Sequence, residues 1–482
     1  MSSSLTTDEA EASPPPVKRP IAVIGAGFSG IIAALQLLRR LPVDQPVLLC
    51  ERSPALEAGG PQAIGDHNHL FNVRATNMSA VIDEPLHFKD WLERRTLDEK
   101  LLEGLCRTEA GLFASRGLYG EYLRSIVEHA LRNTAGQVPL WWLADDILDV
   151  RSAEGGGYEL VCATGQRVAV AALVLAVGNL PPEENENPRI CNNAWSEKAW
   201  RSFEPDRPLL IVGTGLTMVD LAVALRRRGF AGGIVAMSRG GLLPTSHAAV
   251  QGVWPTPHFT MAEETSLPQL MSRLRDEVFA ASEAGVDWRA VIDSMRPVTA
   301  SIWGRLPLRE RRRFLRHGRR LWDVHRHRMA PPHAGQVGQM LADGTLRVIT
   351  GYIQAMEPVP DGIRVHYRVR KGTKATLDVQ RVIRASGLDS IARTRDPLMQ
   401  RLLDRGLVRM DSQGLGLDVT DGLNVVRGDG AVAERIWALG PVVRGVFWEC
   451  VAVPDIRVQA AHVAVGVIAR LREDAPRWNY SI

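Results

Sequence analysis

The strongest constraint on the fold is a short run near the start of the chain, Ile21-Ala-Val-Ile-Gly-Ala-Gly-Phe-Ser-Gly30. Its four leading apolar residues read as a strand buried on both faces. The run opens onto Gly25-x-Gly27-x-x-Gly30, after which Ile31, Ile32, Leu35 and Leu38 recur on one helical face. Each glycine answers a separate need. Gly25 permits the tight turn from strand to helix, Gly27 leaves room for a pyrophosphate to approach the backbone, and Gly30 lets the helix lie close to the sheet. The helix start, which includes Ala26, Phe28 and Ser29, offers unpaired N–H groups and the positive end of a dipole to phosphate. A second strand, Val47-Leu-Leu-Cys50, ends at Glu51 and Arg52. Glu51 stands about 20 residues past the last glycine, where a carboxylate accepts both hydroxyls of an adenosine ribose.

The pattern recurs. Leu209-Leu-Ile-Val212 runs into Gly213-Thr214-Gly215, and Leu216, Thr217, Met218, Val219, Ala222 and Leu225 follow in helical rhythm. Met218 stands where a third glycine would, so this second fingerprint is incomplete. The next strand, Ile234 to Met237, ends at Ser238 and Arg239, the positions equivalent to Glu51 and Arg52. An acid there repels a 2′-phosphate, whereas a hydroxyl and a guanidinium hold one. The second unit therefore reads as a site for NADPH, with NADH as the alternative.

Three further strands end in glycine: Leu173 to Gly178, the run into Ala385-Ser-Gly387, and Ile436 to Gly440. Pro454 then opens the last helix, in the first turn where proline is tolerated. Between the second unit and the later strands lies a helical stretch, 267–328. It carries an amphipathic face of Leu267, Leu270, Met271, Leu274 and Val278, then a basic run from Arg309 to Arg320, then Trp322-Asp-Val-His-Arg-His-Arg328. Arg309 to Arg313 read as a solvated face. Arg326 and Arg328 are candidates to meet an acidic substrate or the nicotinamide nucleotide. His325 and His327, two apart, do not share a helix face, so no metal site is expected.

The chain is 482 residues long, 45% apolar and 23% charged, with 58 basic against 54 acidic residues. That near balance gives no reason to expect nucleic acid as a partner. Five scattered cysteines without a CxxC suggest reduced thiols and no dithiol redox pair, which fits a cytoplasmic setting. No apolar run reaches the roughly 20 residues of a membrane span. Residues 1–18 read as a disordered tail.

With the two glycine units, the stretches HLFNVRATNMSA, GTGLTMVD, SRGGLLP and DVHRHRMAP, and the terminal WALGPVVRGVFWECVAVPDIRVQAAHVA, the chain resembles the bacterial FAD/NAD(P)-binding flavoproteins. These are distantly similar to class B and N-hydroxylating flavin monooxygenases. Gly59-Gly-Pro-Gln-Ala-Ile64 departs from the Gly-x-Ala-Tyr piece of such relatives. The resemblance implies an α/β fold of two Rossmann-like dinucleotide-binding domains, the NAD(P)H domain inserted in the FAD domain, with an added helical segment. The FAD domain would span 19–205 and 340–482. The NAD(P)H domain would span 206–339, with the Arg/His-rich insertion at about 260–330. FAD would sit on the first unit, NADPH or NADH on the second. Asn72 and Arg74 would line the flavin or substrate pocket. Trp448 and Glu449 would face the flavin, and the last helix would aim its N-terminus at the ring. The implied activity is an NAD(P)H-dependent monooxygenase acting through a flavin C4a-(hydro)peroxide on a small-molecule substrate, with O2 as co-substrate. An FAD dehydrogenase or reductase feeding a quinone or carrier, and a non-catalytic flavin-binding protein, are the alternatives.

Overall fold

A computed structural model describes residues 18–53, 69–95, 104–132, 138–180, 182–200, 203–250, 252–259, 266–370, 372–385, 387 and 390–474. The expected tail, apart from Lys18, and the Gly59–Ile64 departure lie outside them.

The first half of the chain contributes β1 (Ile21–Ile24), α1 (Phe28–Leu38), β2 (Val47–Glu51), α2 (His87–Arg94), β3 (Leu105–Thr108), β4 (Gly111–Ala114), α3 (Arg116–Arg132), β5 (Leu140–Ala144), β6 (Ile147–Ser152), β7 (Tyr158–Cys162), β8 (Arg167–Val170), β9 (Ala172–Leu175) and β10 (Ile190–Cys191). Then come β11 (Leu209–Val212), α4 (Leu216–Arg227) and β12 (Ile234–Ser238). Five helices follow: α5 (Leu267–Glu283), α6 (Trp288–Ser294), α7 (Arg296–Arg305), α8 (Leu308–Arg313) and α9 (Arg319–Arg326). The rest is α10 (Pro331–Ala342), β13 (Leu346–Val359), β14 (Gly362–Val369), β15 (Lys374–Val379), β16 (Arg381–Arg384), β17 (Asn424–Val426), β18 (Val432–Ala438) and α11 (Val453–Asp474).

Two sheets carry the fold. The first has the order β17-β18-β9-β1-β2-β5, with β1 parallel to both β2 and β9. Every residue of β1 and β9 is buried, so both faces of the sheet are covered here. This is why these strands read as unbroken apolar runs rather than alternating ones. The second sheet has the order β10-β16-β11-β12-β13-β14-β15. Its β11 lies parallel to β12 and β16, as β1 lies to β2 and β9, so the two units share one construction. The molecule is thus an α/β protein with two Rossmann-like domains. Residues 147–170 form a separate antiparallel sheet, β6-β7-β8.

The strand pairing fixes which sheet each later strand joins. The sequence reading returned the chain to the first domain at 340, but β13 to β16 all belong to the second sheet, and the first is rejoined only at β17. Leu346 to Thr350 pair in parallel with Ile234 to Ser238 before β13 bends away to pair with β14. That neighbour is chosen by long-range pairing, which the alternation within 346–384 does not encode. For the same reason β10 joins the second sheet although it precedes residue 206.

The helical segment forms as read. Leu267 and Leu270 are buried with Trp303, Leu306 and Phe314 in a cluster of their own. Ser266 and Gln269 make a capping box at the start of α5, and the Asp287 side chain caps α6 by accepting from Arg289 N at 2.7 Å. Arg309, Arg312 and Arg313 are exposed, as the solvated-face reading requires.

Candidate functional site

The first cradle is built by strand ends and one bend. Gly25 adopts φ +99°, and a Cβ there would lie 2.7 Å from Ala176 O. A Cβ on Gly30 would lie 1.7 Å from Gly25 O. Both glycines are therefore demanded by the fold itself. Gly27 differs: its backbone is extended, and a Cβ there would meet nothing within 4 Å. It is the N-cap of α1 and makes no side-chain capping bond. Free space and uncapped N–H groups at a helix start fit a pyrophosphate. Glu51, expected to take a ribose, also holds the loop: its Oε2 accepts from Ala26 N at 2.8 Å and its Oε1 from Arg52 N at 3.0 Å. The Arg52 side chain is exposed and turns to Asp396, 3.4 Å away.

The edges of this cradle come from distant parts of the chain. Gly178, φ +65°, follows β9, and Gly440, φ +77°, follows β18 beside it. A Cβ on Gly440 would lie 2.5 Å from Ser29 Oγ, so the loop after β18 rests directly on the first turn of α1. Gly178, Asn179, Pro441 and Arg444 line a groove of about 410 Å³ at the carboxyl ends of these strands, where ligands of such sheets bind.

The second cradle repeats the geometry. Gly213 has φ +125°, and Gly215 caps α4 without a side-chain bond and with open space where a Cβ would project. Leu216 and Thr217, half-buried, form the first turn, and Met218 is fully buried in the place of the third glycine. Two expected ligands are occupied within the protein. Thr214 Oγ1 lies 2.9 Å from Ser238 Oγ and donates to Leu242 O at 2.6 Å, while Ser238 Oγ accepts from Gly241 N at 2.9 Å. Arg239 is exposed and, among the described residues, has no ion-pair partner. Sequence reasoning missed its companion: a Cβ on Gly240 would lie 3.4 Å from Arg320 Cδ and 3.6 Å from its Nη1. The signal was the basic run, but nothing in it separates Arg320 from the solvated arginines before it. Gly387, φ +95°, follows β16, and a Cβ there would lie 3.5 Å from Arg319 Nη2.

The helical segment bridges the two cradles through charges. Glu449 has φ +70°, a conformation costly outside glycine, and sits just before α11. Its carboxylate is 7% exposed, meets Arg326 Nε at 3.1 Å, and accepts from Trp322 Nε1. The Arg326 side chain is also 7% exposed, so its charge is matched inside the protein. At the first turn of α11, beside half-buried Pro454, Asp455 pairs with Arg296. Burial raises the Asp455 carboxyl above its ordinary value, against the pull of Arg296 and Arg326. The helix start expected to face a flavin therefore carries its own acid, balanced by arginines.

A second cluster joins the domains. The His247 ring donates from Nε2 to Asn72 O at 2.8 Å, and Arg74 Nε donates to Ala110 O. Arg328 is 1% exposed and pairs with Asp293. Burial first, then repulsion from Arg328 and Arg74, pushes the His247 pKa down to about 4. The structure thus brings Asn72, Arg74 and Arg328 together but sets Arg326 and Trp448 apart with Glu449. His247 was not singled out from the sequence. Its position follows from the loop after β12, just beyond the SRGGLLP stretch.

Residues 22–180 match the family model described as FAD-NAD(P)-binding. No curated protein sequence matches the chain. Among solved structures, the ornithine hydroxylase of Pseudomonas aeruginosa in its reduced form aligns with 94% of this chain and 100% of its own, at TM-score 0.62 and 15% identity. The ornithine N-hydroxylase of Kutzneria sp. 744, solved with reduced FAD, NADP+ and L-ornithine, aligns with 94% of this chain and all of its own, at TM-score 0.62 and 12% identity. The cadaverine monooxygenase of Erwinia amylovora, bound to FAD, aligns with 95% of each chain at TM-score 0.61 and 11% identity. At such identities the likeness is one of fold. The chain shares the two-domain fold of these structures, and residues 22–180 match an FAD-NAD(P)-binding domain.

Proposed function

We propose that the protein is an FAD-dependent, NADPH-using monooxygenase of a small metabolite, with FAD on the first cradle and NADPH on the second. The observation that carries this reading is the pair of uncapped glycine bends, Gly25 to Gly30 and Gly213 to Gly215, each at the carboxyl end of a strand flanked on both sides by parallel neighbours. Bound FAD would supply the redox chemistry, taking reducing equivalents from NADPH and reacting with O2. The protein's residues bind, orient and exclude water. Glu51 pins the first bend through Ala26 N. Arg239 and Arg320 hold the 2′-phosphate of NADPH. Arg116 on α3 pairs with Asp220 on α4 at 3.0 Å, with both side chains largely buried, and keeps the two units in fixed relation. Domain limits follow the strand pairing: the second domain takes in β10 to β16, and the first takes in the remainder.

The test is oxygen accounting on the purified, FAD-loaded protein. With substrate, NADPH and O2 should be consumed one for one, with one oxygen atom in the product and one in water. NADPH oxidation that continues without O2 once a quinone is added, and yields no oxygenated product, would overturn the reading in favour of a reductase.

A further inference from the structure

The helical segment and the loop before α11 enclose a half-open pocket of about 580 Å³. Leu270, Met271, Trp303, Phe314, Trp322 and Trp448 form much of its wall. The rings of Trp303 and Trp448 lie 4.9 Å apart, tilted by 31°, and Phe314 stands edge-on to Trp448 at 5.4 Å. The polar groups of the wall are nearly all engaged. Trp303 Nε1 donates to Gly445 O at 2.9 Å, Trp322 Nε1 to Glu449, and Thr299 Oγ1 to Met295 O at 2.8 Å. The exception is Trp448, whose buried indole N–H meets no acceptor among the described residues. An apolar concavity with one unpaired buried donor has the composition of a small-molecule site.

Its position ties it to both cradles. Trp448 lies on the loop that leaves Gly440, the residue packed on Ser29 at the first cradle. The Arg319 guanidinium stands over the Trp448 ring at 5.7 Å and reaches the Gly387 turn of the second sheet. Among the described residues the wall includes no carboxylate, and Glu449, next to Trp448, is committed to Arg326 and Trp322. A cationic amine would lose its hydration there without gaining a counter-charge.

We infer that this pocket receives the substrate, and that the substrate is a neutral, ring-bearing apolar molecule with one hydrogen-bond acceptor for Trp448. This deepens the monooxygenase reading and rests on it for the role of substrate; binding itself is tested separately. It also sets the chain apart from structural neighbours named for ornithine and cadaverine, both cationic amines.

The test is calorimetric titration of the FAD-loaded protein with quinoline, naphthalene and L-ornithine. Quinoline and naphthalene share a planar two-ring shape, and only quinoline carries an acceptor. Quinoline should saturate a single site, naphthalene should bind roughly tenfold more weakly for want of the hydrogen bond, and L-ornithine should give no saturable heat. Trp448→Phe should bring quinoline down to the level of naphthalene and leave naphthalene unchanged. Met271→Glu, checked for full flavin retention, should abolish binding of both. Should either variant fail to fold, the three wild-type titrations decide. The inference is overturned if L-ornithine binds and quinoline does not, if quinoline and naphthalene bind equally, or if Met271→Glu leaves both intact. No turnover is needed. A protein that binds quinoline but whose flavin NADPH cannot reduce would remove the monooxygenase reading alone. One that oxygenates another molecule and ignores quinoline would remove the pocket assignment alone.

Discussion

Gly27→Val separates the demands of the fold from those of the cofactor. The three glycines of the first bend look alike in sequence but differ in what a side chain would strike. At Gly25 and Gly30 a Cβ would press on backbone oxygens at 2.7 and 1.7 Å, so alanine there destabilises the folded chain, by about 2–4 kcal/mol. At Gly27 the backbone angles suit any residue and the space is open, so valine costs only the loss of a favoured N-cap, about 1 kcal/mol. On the proposed reading, that same space receives the pyrophosphate. Excluding it forfeits about two charge-assisted hydrogen bonds of about 1.5–3 kcal/mol each, a loss of roughly 10²- to 10⁴-fold in FAD affinity. The assay pairs urea denaturation of the apoprotein with FAD titration by flavin fluorescence. Gly27→Val should unfold near the wild-type midpoint and fail to retain FAD. A Gly27→Val protein that keeps stoichiometric FAD, or one as unstable as Gly25→Ala, would refute the reasoning.

Other consequences can be checked singly. Arg239→Ala and Arg320→Ala should each raise KM for NADPH roughly tenfold and leave that for NADH nearly unchanged; equal effects on the two would remove both residues from the 2′-phosphate. Glu449→Gln keeps an acceptor for Trp322 but strands the buried Arg326 charge, and should cost about 3–5 kcal/mol in urea unfolding, part of it recovered by adding Arg326→Met. His247 titrates near 4 when folded and at its ordinary 6.5 when unfolded, so the folded state disfavours its charged form. Its contribution is complete above pH 6.5 and is lost as pH falls toward 4, by about 3 kcal/mol in all. His247→Asn should flatten that part of the stability profile.

What the sequence revealed follows physical reach. The two strand–glycine–helix units are local, so their residues lie close in the chain and their periodicity declares them. The places of Glu51 and Arg239 were legible for the same reason, since one ends and the other follows the strand beside its own glycine bend. The return point of the second domain was not legible, because β13 is assigned by parallel pairing with β12 more than a hundred residues earlier. Nor was the partnership of Glu449 with Arg326 and Trp322, which meet only after the helical segment docks on the loop before α11. The pattern Trp448-Glu449 marked a place, but its positive φ and its partners come from tertiary contact. Arg320 and His247 show the same limit: a basic run and a loop histidine gain meaning only from what lies opposite them.

The account rests on electrons passing from a nucleotide on the second bend to a flavin on the first. Anaerobic rapid mixing of the FAD-loaded protein with NADPH tests this most directly. The visible absorption of the oxidised flavin should bleach in a single-turnover phase that saturates with NADPH and slows in Arg239→Ala. A bound flavin that stays oxidised under saturating NADPH and NADH would contradict it.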